Sequence, residues 1–301
     1  MRFPEFYAGA TCPHISFEVF PPKNDAAMAS LRRVVPELIE LAPSYMTVTY
    51  GALGSTRERT LEIAALIKRE YRMESACHLT CVGSSRADLD RLLDDIQRSG
   101  IENIVALRGD PPRGETAFVP PPDGYCHGNE LVAHIRRRHA DGFGLAVAGY
   151  PERHIESPDR ESDLRHFTNK VNAGADIVIT QLFYDNADFF SFVDAARALD
   201  VTKPIIPGLL PILSAKQVRR ITSLCGSKIP PALQAELESA GDDDGRAEEV
   251  GIRQCVAQAI ELLRRGVPGI HFYVLNKSSH MRRIMAQLRP VLAELRRKPA
   301  R

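Results

Sequence analysis

Along the chain, short apolar runs rich in β-branched residues alternate with longer stretches whose apolar positions recur every three or four residues. The short runs are ISFEVF (15–20), YMTVTY (45–50), SACHLTCV (75–82), NIVALRG (103–109), GLAVAGY (144–150), IVITQLFY (177–184), PIIPGLLP (204–211) and GIHFYVLN (269–276). They predict strands, and the first four start about 30 residues apart, the spacing of strand, helix and two loops. Amphipathic helices are predicted at 25–41, 57–70, 86–99, 129–139, 160–173, 186–199, 214–224, 246–265 and 279–296. Asp25 is the expected N-cap of the first, which carries Pro36 inside it, and Gly100 closes the third. Strands each followed by a helix predict an α/β fold, a (β/α)8 TIM barrel with an extended last crossover. A doubly wound open sheet is the alternative, but no G-x-G-x-x-G follows the first strand.

Two places break the rhythm. Residues 110–127 hold five prolines and read as a long loop after strand four. Residues 226–245 contain Pro230, Pro231 and the acidic run Asp242–Asp244, and read as an insertion with an extra helix at 231–240. Neither repeats nor a low-complexity linker are present, so residues 1–301 are expected to form one domain, with 297–301 a frayed tail.

Composition narrows the function. With 44% hydrophobic and 26% charged residues, the chain is not of the disordered class. Lys plus Arg is 39 against 38 for Asp plus Glu, so no basic field marks it for nucleic acid. No apolar run is long enough for a membrane span, and the N-terminus lacks an apolar signal core. Cysteines scattered at 12, 77, 81, 126, 225 and 255 do not form a disulfide framework. A reduced, cytoplasmic protein is expected, and a homo-oligomer.

Chemistry in such barrels sits at the C-terminal strand ends. The polar residues there are Glu18; Thr49 and Tyr50; His78 and Thr80; Arg108, Gly109 and Asp110; Tyr150 with Glu152 and His154; Gln181 and Tyr184; and His271, Tyr273 and Lys277. Glu18 lies between Phe17 and Val19. Burial there would raise its pKa and suit it to general acid catalysis, or it is a structural partner of a basic residue. Arg108 beside Gly109 suits a phosphate or an electron-rich ring, or a salt bridge at the barrel mouth. His78 near Cys77 and Cys81 lacks the further ligands a metal needs, and no metal is expected. Phe183, Tyr184, Phe189 and Phe190 are either core or a stacking wall for a flat heterocycle.

Eight ordered strings then become informative together: SFEVFPPK (16–23), VTYGALGSTRERT (48–60), HLTCVG (78–83), ALRGDPPRG (106–114), YPERHIES (150–157), DLRHFTNKVNAGADIVITQLFYDN (163–186), PIIPGLLPI (204–212) and GIHFYVLNKS (269–278). Over roughly residues 14–290 the chain resembles bacterial methylenetetrahydrofolate reductases. The resemblance implies a barrel holding FAD that uses NADH or NADPH to reduce methylenetetrahydrofolate to methyltetrahydrofolate. It implies Glu18 as the catalytic acid and Asp110 as a charge that tunes the flavin or pterin. Cofactor contacts carry over to Thr49, Tyr50, Ala52, His78, Arg108, Gly109, Asp110, Gly128, Tyr150, His154, Asp163, His166 and Lys170. Substrate contacts carry over to Gln181, Tyr273 and Lys277. The chain departs from the family pattern at Gly128, where alanine is common, at Asn169, where a base is common, and at Ala215, where an aromatic can stack on folate. The partners implied are a folate and a nicotinamide dinucleotide. No adenosylmethionine-binding regulatory segment is recognised, so no such control is expected. Alternatives are a flavin-independent folate reductase, another flavin barrel such as a proline dehydrogenase-like enzyme, and a catalytically inactive binding protein on the same fold.

Overall fold

The computed structural model of the chain describes residues 1–22, 24–50, 57–110 and 119–297. In order, its elements are α1 (Phe3–Tyr7), β1 (His14–Val19), α2 (Asp25–Ile39), β2 (Tyr45–Val48), α3 (Arg57–Glu70), β3 (Ser75–Thr80), α4 (Arg86–Arg98), β4 (Asn103–Leu107) and α5 (Gly128–His139). There follow β5 (Gly144–Gly149), α6 (Arg160–Asn172), β6 (Ile177–Thr180), α7 (Asn186–Ala198), β7 (Ile205–Ile206), β8 (Gly208–Leu209), α8 (Ala215–Cys225), α9 (Pro231–Ala240), α10 (Asp244–Arg264), β9 (Gly269–Tyr273) and α11 (Ser279–Arg297).

All the strand pairs are parallel, in the order β7-β6-β5-β4-β3-β2-β1-β9-β8. The two ends of that order are halves of one predicted strand. Pro207 has no N–H to give to a ladder, so the run 204–211 is split there. The half before it pairs with β6 and the half after it with β9, while the Pro207 carbonyl accepts the His271 N–H at 2.9 Å. The sheet thus curls round as the predicted (β/α)8 barrel.

Side-chain alternation explains the layers. On β1, Ile15, Phe17 and Val19 join the large apolar layer beneath the helices, with Leu38, Ile63, Leu93 and Leu288 among its members. The alternate residues Ser16 and Glu18 fall to the interior. Lower in the barrel the interior is apolar: Tyr45, Ala76, Val105, Ala146, Ile177 and Ile206 cluster with Phe3 and Phe6 of α1. The short α1 was not predicted. It acts as a plug, its Phe3 N–H donating to Asn103 Oδ1 at 2.6 Å. The spacing of Phe3, Phe6 and Tyr7 on one helical face was the signal for it.

The extra helix at 231–240 is present as α9, and Leu233 and Leu237 pack with Leu182, Tyr184 and Leu210. The N-cap of α2 is Asn24, one residue before the expected Asp25; its side chain accepts the Ala27 N–H at 2.9 Å, and Asp25 sits in the first turn. Phe183 and Phe189 stack at 5.3 Å, almost wholly buried in the core beneath the helices, so they are packing and not a ligand wall. In the 110–127 loop, residues 111–118 lie outside the described residues, as do 298–301 of the expected tail. Among the described residues no helix is long and apolar enough to cross a membrane.

Candidate active site

The parallel register sets a polar cluster above the apolar plug. Ser16 lies opposite His271, and Glu18 lies opposite Tyr273 on one side and Thr47 on the other. Glu18 is 5% exposed, and its contacts converge on one oxygen, Oε2. Thr47 Oγ1 donates to it at 3.1 Å and His271 Nε2 approaches at 3.3 Å. His78 Nε2 lies 3.1 Å away but off the hydrogen-bonding direction, which makes that contact chiefly electrostatic. His271 Nδ1 is in turn 2.8 Å from Ser16 Oγ. Among the described residues Glu18 Oε1 takes no hydrogen bond, and Glu18 is part of the cavity lining.

Burial pushes the Glu18 carboxyl toward its neutral form, but His78 and then His271 outweigh it and hold the pKa at about 2. The expectation of a raised pKa is therefore corrected: it counted desolvation and not the two imidazoles that the barrel closure brings in from β3 and β9. Burial, together with the nearby Glu18 charge, raises the Tyr273 pKa well above the ordinary phenol value, and its hydroxyl donates to the Thr180 carbonyl at 2.7 Å.

Above this floor opens a cavity of about 710 Å³, within the range of cofactor and substrate sites. Of the residues carried over from the resemblance, the strand ends supply Glu18, Thr49, Tyr50, His78, Arg108, Gly109, Asp110, Tyr150, Gln181 and Tyr273 to its lining. The helices and loops supply Gly128, His154, Asp163, His166 and Lys170. Ala52 lies outside the described residues. Lys277 is exposed and is not part of the lining.

Around Tyr150 the cavity is charged, with Arg108 and Lys170 beside Asp110, Glu156 and Asp163. Arg108 grips Glu156, and Lys170 Nζ lies 5.6 Å over the Tyr150 ring. Burial lowers the Lys170 pKa to about 8 against the opposing pull of Asp163. The first turn of α5, with Gly128 and Asn129, also lines the cavity, and a helix N-terminus favours anions. Thr80 Oγ1, on the cavity wall, is buried with no hydrogen-bond partner among the described residues. An apolar wall is formed by Leu182, Leu210, Ile221 and Leu275. Ala215 is buried at the start of α8 and does not reach the cavity, so aliphatic side chains stand on this wall.

Sequence reasoning missed the partners of Glu18. Ser16 and Thr47 were not named as site residues, and His271 was noted only for its place on the last strand. The i, i+2 spacing of Ser16 to Glu18 and of His271 to Tyr273 was the available signal. Glu156 and Ser157, in the loop after β5, were also missed.

Comparison with known proteins bears on the fold and the family. The solved structure of a Clostridium thermocellum protein, described as binding two copies of 5-methyl-5,6,7,8-tetrahydrofolic acid, superposes with a TM-score of 0.63 over 94% of this chain and 96% of that one, at 16% identity. Oxaloacetate acetylhydrolase superposes with a TM-score of 0.53 at 12% identity, covering 98% and 86%. At such identities both show the fold alone. Sequence carries more. The Arabidopsis thaliana protein named methylenetetrahydrofolate reductase (NADH) 1 is 38% identical over 270 residues, 87% of this chain and 46% of the relative. The Pectobacterium carotovorum 5,10-methylenetetrahydrofolate reductase is 34% identical over 265 residues, 88% of this chain and 86% of the relative. The chain thus spans about half the length of the plant relative and most of the bacterial one. The sequence model of the family described as methylenetetrahydrofolate reductase matches residues 7–289, and with a match over nearly the whole barrel this chain belongs to the methylenetetrahydrofolate reductase family.

Proposed function

We propose that this chain reduces 5,10-methylenetetrahydrofolate to 5-methyltetrahydrofolate with NADH or NADPH, using bound FAD in two alternating half-reactions. The observation that carries the reading is a buried carboxylate, Glu18, lining a cavity that also presents Arg108, Lys170 and an apolar wall. FAD, when bound, passes a hydride from the nicotinamide to the folate carbon. The residues present fit that group: Arg108, Lys170 and the start of α5 suit phosphates, and the orphaned Thr80 hydroxyl awaits a polar partner. Membership of the methylenetetrahydrofolate reductase family supports a folate as the substrate.

The chain's own task is to move a proton. A hydride does not readily attack the closed methylene bridge, whereas protonating one bridge nitrogen opens it to an electrophilic iminium. Glu18 at a pKa of about 2 is not by itself the proton store. Substrate that displaces water favours the neutral carboxyl, so a proton taken up from solvent sits on Glu18 and passes to the bridge nitrogen. Gln181 contacts folate and nicotinamide in turn, and Asp110 acts through its charge. Lys277, exposed, serves the distal part of the folate. All six cysteines are free, which fits the reducing cytoplasm.

The test is the visible spectrum of the purified protein with release of FAD on denaturation, followed by turnover of methylenetetrahydrofolate. Arg108→Ala should lower flavin retention. Folate turnover by flavin-free protein would overturn the flavin part of the reading.

A further inference from the structure

Arg108 follows β4, and Glu156 lies in the loop between β5 and α6; both line the cavity. The guanidinium holds the carboxylate at two points, Nη2 donating to Oε1 at 2.8 Å and Nη1 to Oε2. That carboxylate occupies the bidentate face a phosphate would use. The loop around it is anchored independently. Ser157 Oγ donates to Asp163 at 3.0 Å, and Glu152 accepts the Lys228 backbone N–H at 3.0 and 3.1 Å. Release of Glu156 therefore need not unmake the loop. The pair is partly in water, with the Glu156 side chain 49% and that of Arg108 23% exposed. Ion pairs so placed are weak and yield to another anion. Lys170, by contrast, makes no ion pair among the described residues, so of these two cations only Arg108 is masked.

We propose that Glu156 is an internal anion that occupies Arg108 until a phosphate of the incoming dinucleotide displaces it, and so sets how tightly the cavity holds phosphorylated ligands. The identity of the natural ligand rests on the flavin reading above; the exchange itself does not.

The experiment titrates flavin-stripped protein with FAD, inorganic pyrophosphate and riboflavin. The variants are the parent, Glu156→Gln, Arg108→Gln and the double substitution. Glutamine keeps the shape and removes the charge, at an exposed position where folding is not at risk. In Glu156→Gln, FAD and pyrophosphate should bind about threefold tighter or more. Riboflavin, which has no phosphate, should bind as in the parent. The gain should vanish when Arg108 is already glutamine. Unchanged or weaker pyrophosphate binding in Glu156→Gln overturns the proposal, because Glu156 would then position Arg108 instead of competing for it. A pyrophosphate gain in protein that never takes up FAD would uphold the exchange and sink the flavin reading.

Discussion

His78 Nε2 stands 3.1 Å from Glu18 Oε2, and the barrel closure brings His271 to the same oxygen at 3.3 Å. Two imidazoles on one carboxylate oxygen reverse what burial alone would do. The other oxygen takes no hydrogen bond among the described residues, so in the proposed reaction holding the carboxylate and using it fall to different atoms.

The ionisation of Glu18 can be read directly from the carboxyl carbon shift of labelled protein. It should titrate below pH 4 in the parent. In His271→Gln one opposing imidazole is gone, and the midpoint should move up by about one unit or more. A parent midpoint near neutrality would mean that desolvation wins after all. Glu18 ionises more easily folded than unfolded, so its contribution is present above its ordinary pKa and fades as the pH falls toward 2.

Lys170 follows the same sign in a higher pH window. Its pKa is lowered to about 8 by burial, so the empty site loses this charge as the pH rises through that value. Pyrophosphate affinity should fall above pH 8 in the parent. Lys170→Met should bind more weakly at neutral pH and lose this pH dependence. Between pH 8 and the ordinary lysine value the unfolded chain binds the extra proton, so folding stability should gain from this residue as pH rises. A pyrophosphate affinity that ignores both pH and the substitution would remove Lys170 from the anion site.

Two glycines beside the cavity should respond oppositely to alanine. Gly109 has φ +91°, and a Cβ there would stand 2.7 Å from Val82 Cγ1. Gly109→Ala should cost about 1–3 kcal/mol in urea unfolding. At Gly128 a Cβ would meet nothing closer than the Arg108 nitrogen at 3.5 Å and Lys170 Cδ at 3.6 Å. Gly128→Ala should be neutral or stabilise by about 0.4–1 kcal/mol, so the glycine that departs from the family pattern costs this site no space. Equal losses at both positions would refute this packing.

Much of this was legible in the chain because strand and helix periods differ and each strand end carries polar residues. The runs at 15–20 and 269–276 located β1 and β9, and with them Glu18 and Tyr273. What the sequence hid was set by closure. That Ser16 faces His271, and that His78 reaches Glu18 across β2, depends on barrel register between residues far apart in the chain. Hence the residue was found and the direction of its pKa was misjudged. The split at Pro207 was visible as a proline, but its consequence depended on which neighbours each half met. The pairing of Arg108 with Glu156 joins two loops whose approach no local pattern encodes.

In the proposed reaction Glu18 serves folate reduction and not flavin reduction, and the separate half-reactions test this. Reducing the flavin with NADH or NADPH requires no acid to open a folate ring; reducing methylenetetrahydrofolate does. Stopped-flow absorbance should follow each half-reaction in the parent and in Glu18→Gln, with flavin content and melting temperature as controls. The expected result is near-parental flavin reduction with folate reduction slowed by about 10²–10⁴-fold. Near-parental folate reduction in a folded, flavin-loaded Glu18→Gln protein would contradict the account.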